Sequence, residues 1–296
     1  MMNINHPVII QGGMGIAVSG WKLAKTVSQM GQLGVVSGTA INSVLIRRLQ
    51  DGDEQGDVRR AMRAFPHQGI VQQILDLYFI EGGKDPHKSY KRCPQFSIQS
   101  PKALLQLNVV AAFVEVYLAR EGHDNPVGIN VLEKVLLPNL SCLYGALLAG
   151  VAYVIMGAGI PREIPGALDL LSQNKEAFLK IPVAGATAEE DHKTVFNPIE
   201  VMGTTNLKTL KPKKLIVFDL DGTLAKSKSV IDQEMVDLLT ELLTHKKVAV
   251  IGGGKYGLFK HQLLGELKIK KDLLKNLFLF PTTATAFYRY NSGWKN

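Results

Sequence analysis

The feature that most constrains the fold is an alternation of short apolar runs with amphipathic segments over about the first two-thirds of the chain. The runs "PVIIQGGMG", "LGVVSGTAI", "PVGINVL", "AYVIMGAG" and "FLKIPVAG" are apolar almost throughout, and most end in small residues. Segments with helical periodicity, such as "SGWKLAKTVSQMG" and "SPKALLQLNVVAAFVEVYLAREG", lie between them. Strands that are apolar on both faces are typical of parallel sheets, so the pattern predicts an α/β fold with five parallel strands.

The alternation resumes beyond a polar stretch at 186–212, with the strands "LIVF", "VAVI" and "LFLF". The closing "TAFYRYNSGW" alternates aromatic and polar residues around an Asn-Ser-Gly turn, which predicts the start of an antiparallel element. We therefore predict two domains, 1–205 and 206–296, the second with a sheet of its own. Alternatively, the five strands of the first half and the three of the second together form the eight strands of a closed (β/α) barrel. In that arrangement strand 215–218 pairs with the first sheet.

The formal net charge of +8 lies entirely in residues 207–296, where 16 lysines and arginines face 8 acidic residues (16 − 8 = 8). These basic residues fall near predicted helix ends without interleaved aromatic residues. We therefore predict solvated helix ends, with no nucleic-acid partner. The same charge would suit small phosphorylated substrates.

The cysteines and the apolar stretches indicate the compartment. Cys93 and Cys142 lie far apart, which argues against a disulfide framework and favours a reducing cytoplasm. The stretch 135–160 has no charged side chain and is long enough to cross a bilayer. Pro138 and four glycines divide it, so we predict a helix, a glycine stop and a buried strand, with no membrane span.

Two aspartates follow the strand in "KKLIVFDLDGTLAKSK". Asp219 and Asp221 are two residues apart, so in an extended segment both can face one pocket at the carboxyl end of the strand. Two carboxylates at this short distance repel each other unless a cation lies between them, and Mg²⁺ prefers carboxylate oxygens as ligands. We predict Asp219 as nucleophile, Asp221 as acid/base and both as Mg²⁺ ligands. Gly222 permits the tight turn, and Thr223 can hydrogen-bond within it. Alternatively, the Asp-Gly pair only marks a turn.

This pattern resembles the nucleophile motif of the haloacid dehalogenase (HAD) superfamily. The similarity extends through "VAVIGGGKYGLFKHQLLGEL" and "NLFLFPTTATAFYRYNSGW", which resemble the start of the branch that contains phosphomannomutases and sugar phosphatases. The resemblance implies a Rossmann-like core, Asp219 as phosphoryl acceptor, Asp221 as acid/base, Mg²⁺ as cofactor and a phosphorylated sugar as substrate.

The sequence departs from that family in two places. The family's second core strand ends in a serine or threonine that holds phosphate, whereas this chain has three glycines. We predict that the backbone of Gly253 and Gly254, with Lys255, binds phosphate instead. The family's later lysine and acidic magnesium motif follow a cap domain that would begin only near Phe287. The HAD-like core is therefore expected to be truncated and its site incomplete.

The first half resembles a second family. The segments "PVIIQGGMG", "GQLGVVSGTAI", "VGINVLEK" and "VIMGAGIPREIPG" together resemble nitronate monooxygenases, which are FMN-dependent (β/α) barrels. Glycine-rich strand ends let the backbone approach a flat isoalloxazine ring. The resemblance implies nitronate as substrate and an FMN site at Gly12, Gly13, Met14, Asn130, Gly157 and Gly159. Alternatively, these glycines serve only close packing.

The predicted fold class is α/β, with a partial (β/α) TIM-type barrel followed by a truncated Rossmann-like HAD core. Three classes of function follow. The first is an FMN-dependent, nitronate monooxygenase-like oxidoreductase fused to an incomplete HAD-like module. The second is a Mg²⁺-dependent phosphatase or phosphomannomutase-like activity through Asp219 and Asp221. The third is a non-catalytic fusion or fragment.

Overall fold

A computed structural model describes residues 7, 9–158, 163–183, 185, 192–203, 215–221, 223–226 and 229–295. Within these ranges the strands are β1 (Gly34–Ser37), β2 (Val127–Leu132), β3 (Tyr153–Gly157), β4 (Ala177–Lys180), β5 (Lys193–Phe196), β6 (Leu215–Asp219), β7 (Lys247–Ile251), β8 (Leu277–Phe280), β9 (Tyr288–Tyr290) and β10 (Trp294–Lys295). The helices are α1 (Trp21–Gln29), α2 (Ile41–Gln50), α3 (Asp57–Arg63), α4 (Gln68–Tyr78), α5 (Lys102–Arg120), α6 (Asn139–Leu148), α7 (Ile164–Ser172), α8 (Pro198–Met202), α9 (Gln233–His245), α10 (Tyr256–Phe259), α11 (Lys271–Leu274) and α12 (Pro281–Ala284). A π-helical turn, Lys260–Leu264, continues α10.

The helices form where the sequence carries the matching signals. The carboxylate of Asp232 caps α9 by accepting a 2.9 Å hydrogen bond from the Met235 N–H. Gly31, with φ of +76°, follows the end of α1, a backbone conformation that favours glycine. The described part of the apolar stretch 135–160 forms α6, a turn at Gly150 and β3, which confirms the predicted helix, glycine stop and strand.

Helix α5 is long and apolar enough, by length and composition alone, to cross a membrane. In this fold 72% of its apolar window is buried, and it packs against α1, α2 and α6. A core helix of a globular domain passes the same test, so α5 is accounted for by its packing.

The main sheet has eight strands in the order β1-β2-β3-β6-β7-β8-β9-β10. It is parallel from β1 to β8, and β9 and β10 add the antiparallel element predicted for the aromatic segment. Strand β6 pairs with β3 through Ile155 with Val217 and Met156 with Phe218. The expectation of a separate second sheet is therefore wrong, and the pairing expected of the alternative arrangement is confirmed. The predicted boundary near residue 205 lies outside the described residues and stays a prediction.

Two of the five strands predicted for the first half differ from expectation. "PVIIQ" makes only a single parallel bridge, from Ile10 to Leu33. "FLKI" forms β4, which pairs antiparallel with β5 in a separate two-stranded sheet. The physical reason is visible in its burial, because Ala177 and Leu179 are buried whereas Phe178 and Lys180 are exposed. A strand covered on only one face suits a hairpin rather than the middle of a parallel sheet.

Alternate residues of the strands enter different hydrophobic clusters. One set packs on the helices, in a cluster of the first half and another of the second. The other set forms a shared cluster without helix residues: Ile10, Leu33, Val35, Tyr153, Ile155, Val217, Ala249, Phe278 and Phe280. Both halves thus contribute to one helix-free face, although the sequence pattern predicted helices on both faces.

The helix-free face is strongly curled. Ile10 lies beyond β1, and in a flat sheet with about 4.8 Å between strands it would lie roughly 25–30 Å from β8. Instead, Ile10, Phe278 and Phe280 line one narrow cavity of about 10 Å³. The sheet therefore bends toward itself as in part of a barrel, but the strand order of the described residues leaves β1 and β10 as separate ends.

Candidate active site

The described site residues predicted from both halves lie along one edge of the main sheet. We call the row of strand ends from Ser37 to Phe280 the carboxyl edge. The strand register pairs Ser37 with Asn130 and Asp219 with Ile251. Continuing the register of β3 and β6 places Gly157 level with Asp219. Ligands of parallel α/β sheets bind at this edge, so one surface carries both candidate sites.

Asp219 ends β6 and is half-buried. Its pKa is raised above the usual value mainly because burial disfavours the charged carboxylate. The charge of Asp221 raises the pKa further, and a backbone hydrogen bond from Leu220 opposes both effects. The contribution of Asp221 is in the direction expected of two like charges near each other.

The turn after Asp219 is closed by its own backbone. The Leu220 carbonyl accepts hydrogen bonds of 3.1 Å from the N–H groups of both Leu224 and Ala225. Thr223 is fully buried, and its hydroxyl has no hydrogen-bond partner among the residues that the structure describes. The predicted hydrogen bond within the turn is therefore present for the Thr223 N–H, at 3.4 Å from the Leu220 carbonyl, but not for the side chain. Gly222 lies outside the described residues.

Gln262 is a residue of this site that sequence reasoning missed. It lies in the π-helical turn, is fully buried, and its Nε2 donates to Asp221 Oδ1 at 3.2 Å and to the Ser229 carbonyl at 3.0 Å. A glutamine in the middle of "KHQLL" gives no local signal of such a contact. Its partner is 41 residues away in the chain, and only the tertiary structure brings the two together.

The glycines after β7 divide into packed and open positions. Gly252 donates to the Phe280 carbonyl at 3.2 Å, and a Cβ at Gly254 would lie 2.3 Å from Leu258 Cδ2. Gly253 is exposed, with nothing within 4 Å of an added Cβ. Lys255 is also exposed. Gly253 and Lys255 are thus open to an approaching anion, while Gly254 is partly used for packing.

The donor set fits a magnesium ion. Asp219 and Asp221 supply hard carboxylate oxygens, and no cluster of three or more His, Cys, Asp or Glu side chains occurs in the part of the chain that is described. Mg²⁺ commonly binds through one or two carboxylates, with waters and substrate phosphate as further ligands. A pair of carboxylates is therefore a sufficient protein contribution.

The described residues predicted to bind FMN lie along the carboxyl edge from β1 to β3, with Gly157 on the strand next to β6. Gly13 is buried, and a Cβ there would lie 2.4 Å from Val35 Cγ1 and 2.8 Å from Asn130 Cβ. A Cβ at Gly157 would lie 3.4 Å from Met14 Sδ, whereas Gly12 is open. Gly13 therefore serves close packing, the alternative interpretation of these glycines. Gly159 lies outside the described residues.

Two buried polar atoms, one on β1 and one on β2, have no hydrogen-bond partner among the described residues. Asn130 is 4% and Ser37 is 6% exposed. Among the described residues neither Asn130 Oδ1 nor Ser37 Oγ has a hydrogen-bond partner. Gly13 packs against Asn130, and Met14, Ile16 and Val18 in the apolar loop that follows Gly13 are exposed. Unpaired buried oxygens near an exposed apolar loop are compatible with a ligand that covers both.

A mainly apolar groove lies away from the carboxyl edge. A cavity of about 310 Å³ separates α7 from α9, with a 2.6 Å ion pair between Lys246 and Asp169 at its rim. Its lining is mainly apolar and includes none of the predicted site residues. The candidate chemistry is therefore sought at the carboxyl edge, where Asp219 and Asp221 lie, rather than in this groove.

The comparisons with known proteins give a partial match. No family model matches the chain. Phosphomannomutase 1 of Dictyostelium discoideum is 42% identical to this chain over 55 residues, which are 19% of this chain and 22% of that protein. The match indicates a HAD-like segment, and the chain matches only about a fifth of that relative's length. The comparisons give no support for the nitronate monooxygenase resemblance, which stays a prediction.

Proposed function

We propose that the second half of this chain is a Mg²⁺-dependent phosphoryl-transfer module of the HAD type that acts on a phosphorylated sugar. The observation that carries the proposal is the position of Asp219 and Asp221 at the carboxyl end of β6, beside the open glycine turn after β7. The partial similarity to a phosphomannomutase supports the same class.

The two carboxylates divide the work. Asp219 would attack the phosphorus, forming a bond from its carboxylate oxygen while the bond from phosphorus to the leaving oxygen breaks. Asp221 would give a proton to the leaving oxygen and then remove one from the water or hydroxyl that accepts the phosphoryl group. Both would hold Mg²⁺, which when bound offsets the repulsion among the carboxylates and the phosphate. The exposed backbone at Gly253, with Gly254 and Lys255, would hold the phosphate oxygens.

The test is hydrolysis of p-nitrophenyl phosphate by the full chain, with and without Mg²⁺. The wild type should hydrolyse the substrate only with Mg²⁺. In Asp219→Asn kcat should fall about a thousandfold or more, because the nucleophile is lost. Asp237→Asn is a matched control, since Asp237 is exposed on α9 and accepts a hydrogen bond from Gln233 of the same helix. Equal activity in Asp219→Asn and Asp237→Asn would overturn the assignment.

A second candidate, FMN binding by the first half, is favoured by Asn130 Oδ1 and Ser37 Oγ, which are buried without hydrogen-bond partners among the described residues. FMN would supply redox chemistry when bound, and Asn130 would hydrogen-bond its edge. Titration of FMN should then quench flavin fluorescence, with weaker binding by Asn130→Leu. Unchanged fluorescence at every protein concentration would remove this candidate and leave Gly12, Gly13, Met14 and Gly157 as packing residues.

A cytoplasmic location belongs to this proposal. Cys93 and Cys142 are both free thiols, and burial raises the pKa of Cys142 to about 12. A buried, protonated thiol is unreactive. Because neither cysteine forms a disulfide, neither requires an oxidising compartment.

A further inference from the structure

Gln262 is a buried glutamine whose two ends are unequally satisfied. Its Nε2 has two acceptors, Asp221 Oδ1 and the Ser229 carbonyl. Its Oε1 has no hydrogen-bond partner in the described part of the chain. Because both neighbours of the amide nitrogen only accept hydrogen bonds, the NH₂ group must face them, and this fixes the orientation of the amide.

A second buried glutamine shows what a purely structural role looks like. Gln50 is 2% exposed and uses both ends of its amide. Its Nε2 donates to the Ile46 and Lys91 carbonyls, each at 3.1 Å, and its Oε1 accepts from the Lys91 N–H at 2.7 Å. Gln262 directs its donors at Asp221 and Ser229 while its oxygen has no partner among the described residues, an arrangement that structural stability alone does not favour.

The backbone ties Gln262 to the loop that follows the aspartates. The Gln262 carbonyl accepts a 2.9 Å hydrogen bond from the Ile231 N–H. The side chain thus contacts Asp221 and Ser229 while the main chain contacts Ile231. Nearby, the Gly265 N–H donates to the Lys260 carbonyl at 2.9 Å, five residues back, which is the spacing of a π-helix. Single π-turns of this kind occur frequently at functional sites.

We propose that Gln262 is a positioning residue that holds the carboxylate of Asp221 in the orientation needed for proton transfer. The inference rests on the proposed phosphoryl-transfer function. By donating to Oδ1, the amide restricts rotation of the carboxylate about its bond to Cβ and so fixes the direction in which Asp221 presents its proton. Gln262 itself touches neither substrate nor the reacting atoms.

The first test compares Gln262→Met with Gln50→Met in p-nitrophenyl phosphate hydrolysis with Mg²⁺. Gln262→Met should lower kcat about tenfold or more and leave KM within about twofold, because a hydrogen bond to a charged group is lost without a change in substrate contacts. Gln50→Met should lower the melting temperature and leave kcat unchanged. In the Asp221→Asn background, Gln262→Met should lower kcat by less than about a further twofold, since its effect acts through Asp221.

The outcomes separate this inference from the function on which it rests. The positioning role is overturned if Gln262→Met keeps the full kcat, or if it lowers kcat as much in the Asp221→Asn background as in the wild type. In either case an inactive Asp219→Asn variant keeps the proposed function intact. An Asp219→Asn variant as active as the wild type overturns both.

A test of the contact itself does not depend on turnover. Gln262→Glu should lower the melting temperature, because two carboxylates would then face each other. Adding Asp221→Asn should restore most of that loss, since the amide that replaces the Asp221 carboxylate would donate to the new glutamate. Failure of the double variant to regain thermal stability would overturn the contact even if Gln262→Met does not fold.

Discussion

The two ends of the carboxyl edge differ in how their buried polar atoms are paired. Around β6, Asp221 is held by Gln262, which in turn is held by Ser229, so the polar atoms form a connected network. Around β1 and β2, Ser37 Oγ and Asn130 Oδ1 are buried without partners in the described chain, and Gly13 is packed against Asn130. Unpaired oxygens occur at the β6 end too, at Thr223 Oγ1 and Gln262 Oε1. The two ends therefore differ in that Gln262 links Asp221 to Ser229, whereas no such link among the described residues reaches Ser37 Oγ or Asn130 Oδ1.

The largest expected effect concerns the shared sheet that carries both ends. Ile155 is 6% exposed in the cluster common to both halves, and its replacement by alanine should cost about 2–5 kcal/mol of unfolding free energy. Because β3 and β6 are paired, both halves should unfold together. Trp21 lies in the first half and Trp294 in the second, so fluorescence of Trp21→Phe and Trp294→Phe reports each half separately.

One cooperative unit would be supported if the two single-tryptophan proteins have the same melting temperature and Ile155→Ala lowers it equally in both. Two transitions at different temperatures, with only the Trp21 signal responding to Ile155→Ala, would contradict it and restore independent domains.

The next effect separates the two glycines of the predicted phosphate loop. Gly254→Ala should cost about 1–3 kcal/mol, because its methyl group would meet Leu258. Gly253→Ala should leave stability within about 0.5 kcal/mol, since nothing lies within 4 Å of an added Cβ. If Gly253 receives the phosphate, the same substitution should raise KM for p-nitrophenyl phosphate. A normal KM for Gly253→Ala would remove this glycine from the phosphate site.

A serine pair tests the contrast in polar pairing directly. Ser28 is fully buried, donates to the Pro126 carbonyl at 2.8 Å and accepts from the Gly34 N–H at 3.1 Å. Ser28→Ala should cost about 1–3 kcal/mol in urea unfolding, because it leaves a buried N–H and a carbonyl unsatisfied. Ser37→Ala removes only an unpaired hydroxyl, so it should be neutral or slightly stabilising. A larger loss in Ser37→Ala than in Ser28→Ala would show that Ser37 is paired after all.

The smallest effect is the pH dependence of the buried aspartate. Burial, with the charge of Asp221, raises the pKa of Asp219 in the folded state above the ordinary 3.8. The folded state therefore binds this proton more tightly than the unfolded state, and stability falls as the pH rises from about 4 through the raised pKa. Without Mg²⁺, Asp219→Asn should melt above the wild type at pH 7, and the difference should vanish below about pH 4. An equal or lower melting temperature at pH 7 would show that burial of this carboxylate is offset by unrecognised contacts.

The sequence predicted those features that depend on local pattern. The strands β1, β2, β3, β6, β7 and β8 and the antiparallel end follow from apolar runs and turn residues, and the position of the aspartate pair follows from the end of β6. Periodicity does not determine which strands pair across a long connection. The β3–β6 pairing therefore could not be decided, and β4 was assigned to the wrong sheet.

The candidate site shows the same limit. Asp219 and Asp221 are neighbours in sequence, so their proximity could be predicted. Gln262 reaches Asp221 only through the folding of the π-helical turn against the loop after β6, and no sequence spacing encodes that contact. Likewise, the sequence identified Gly13 as a candidate for ligand approach, whereas its packing against Val35 and Asn130 is a property of the folded sheet.

The most direct test of the central claim is detection of a phosphorylated aspartate. The full chain is incubated with Mg²⁺ and a sugar phosphate or p-nitrophenyl phosphate, quenched in acid and digested, and the peptides are analysed by mass spectrometry. The account predicts a Mg²⁺-dependent phosphoryl group on Asp219, absent in Asp219→Asn and present in Asp237→Asn. No label on the peptide that contains Asp219, while turnover proceeds, would contradict it.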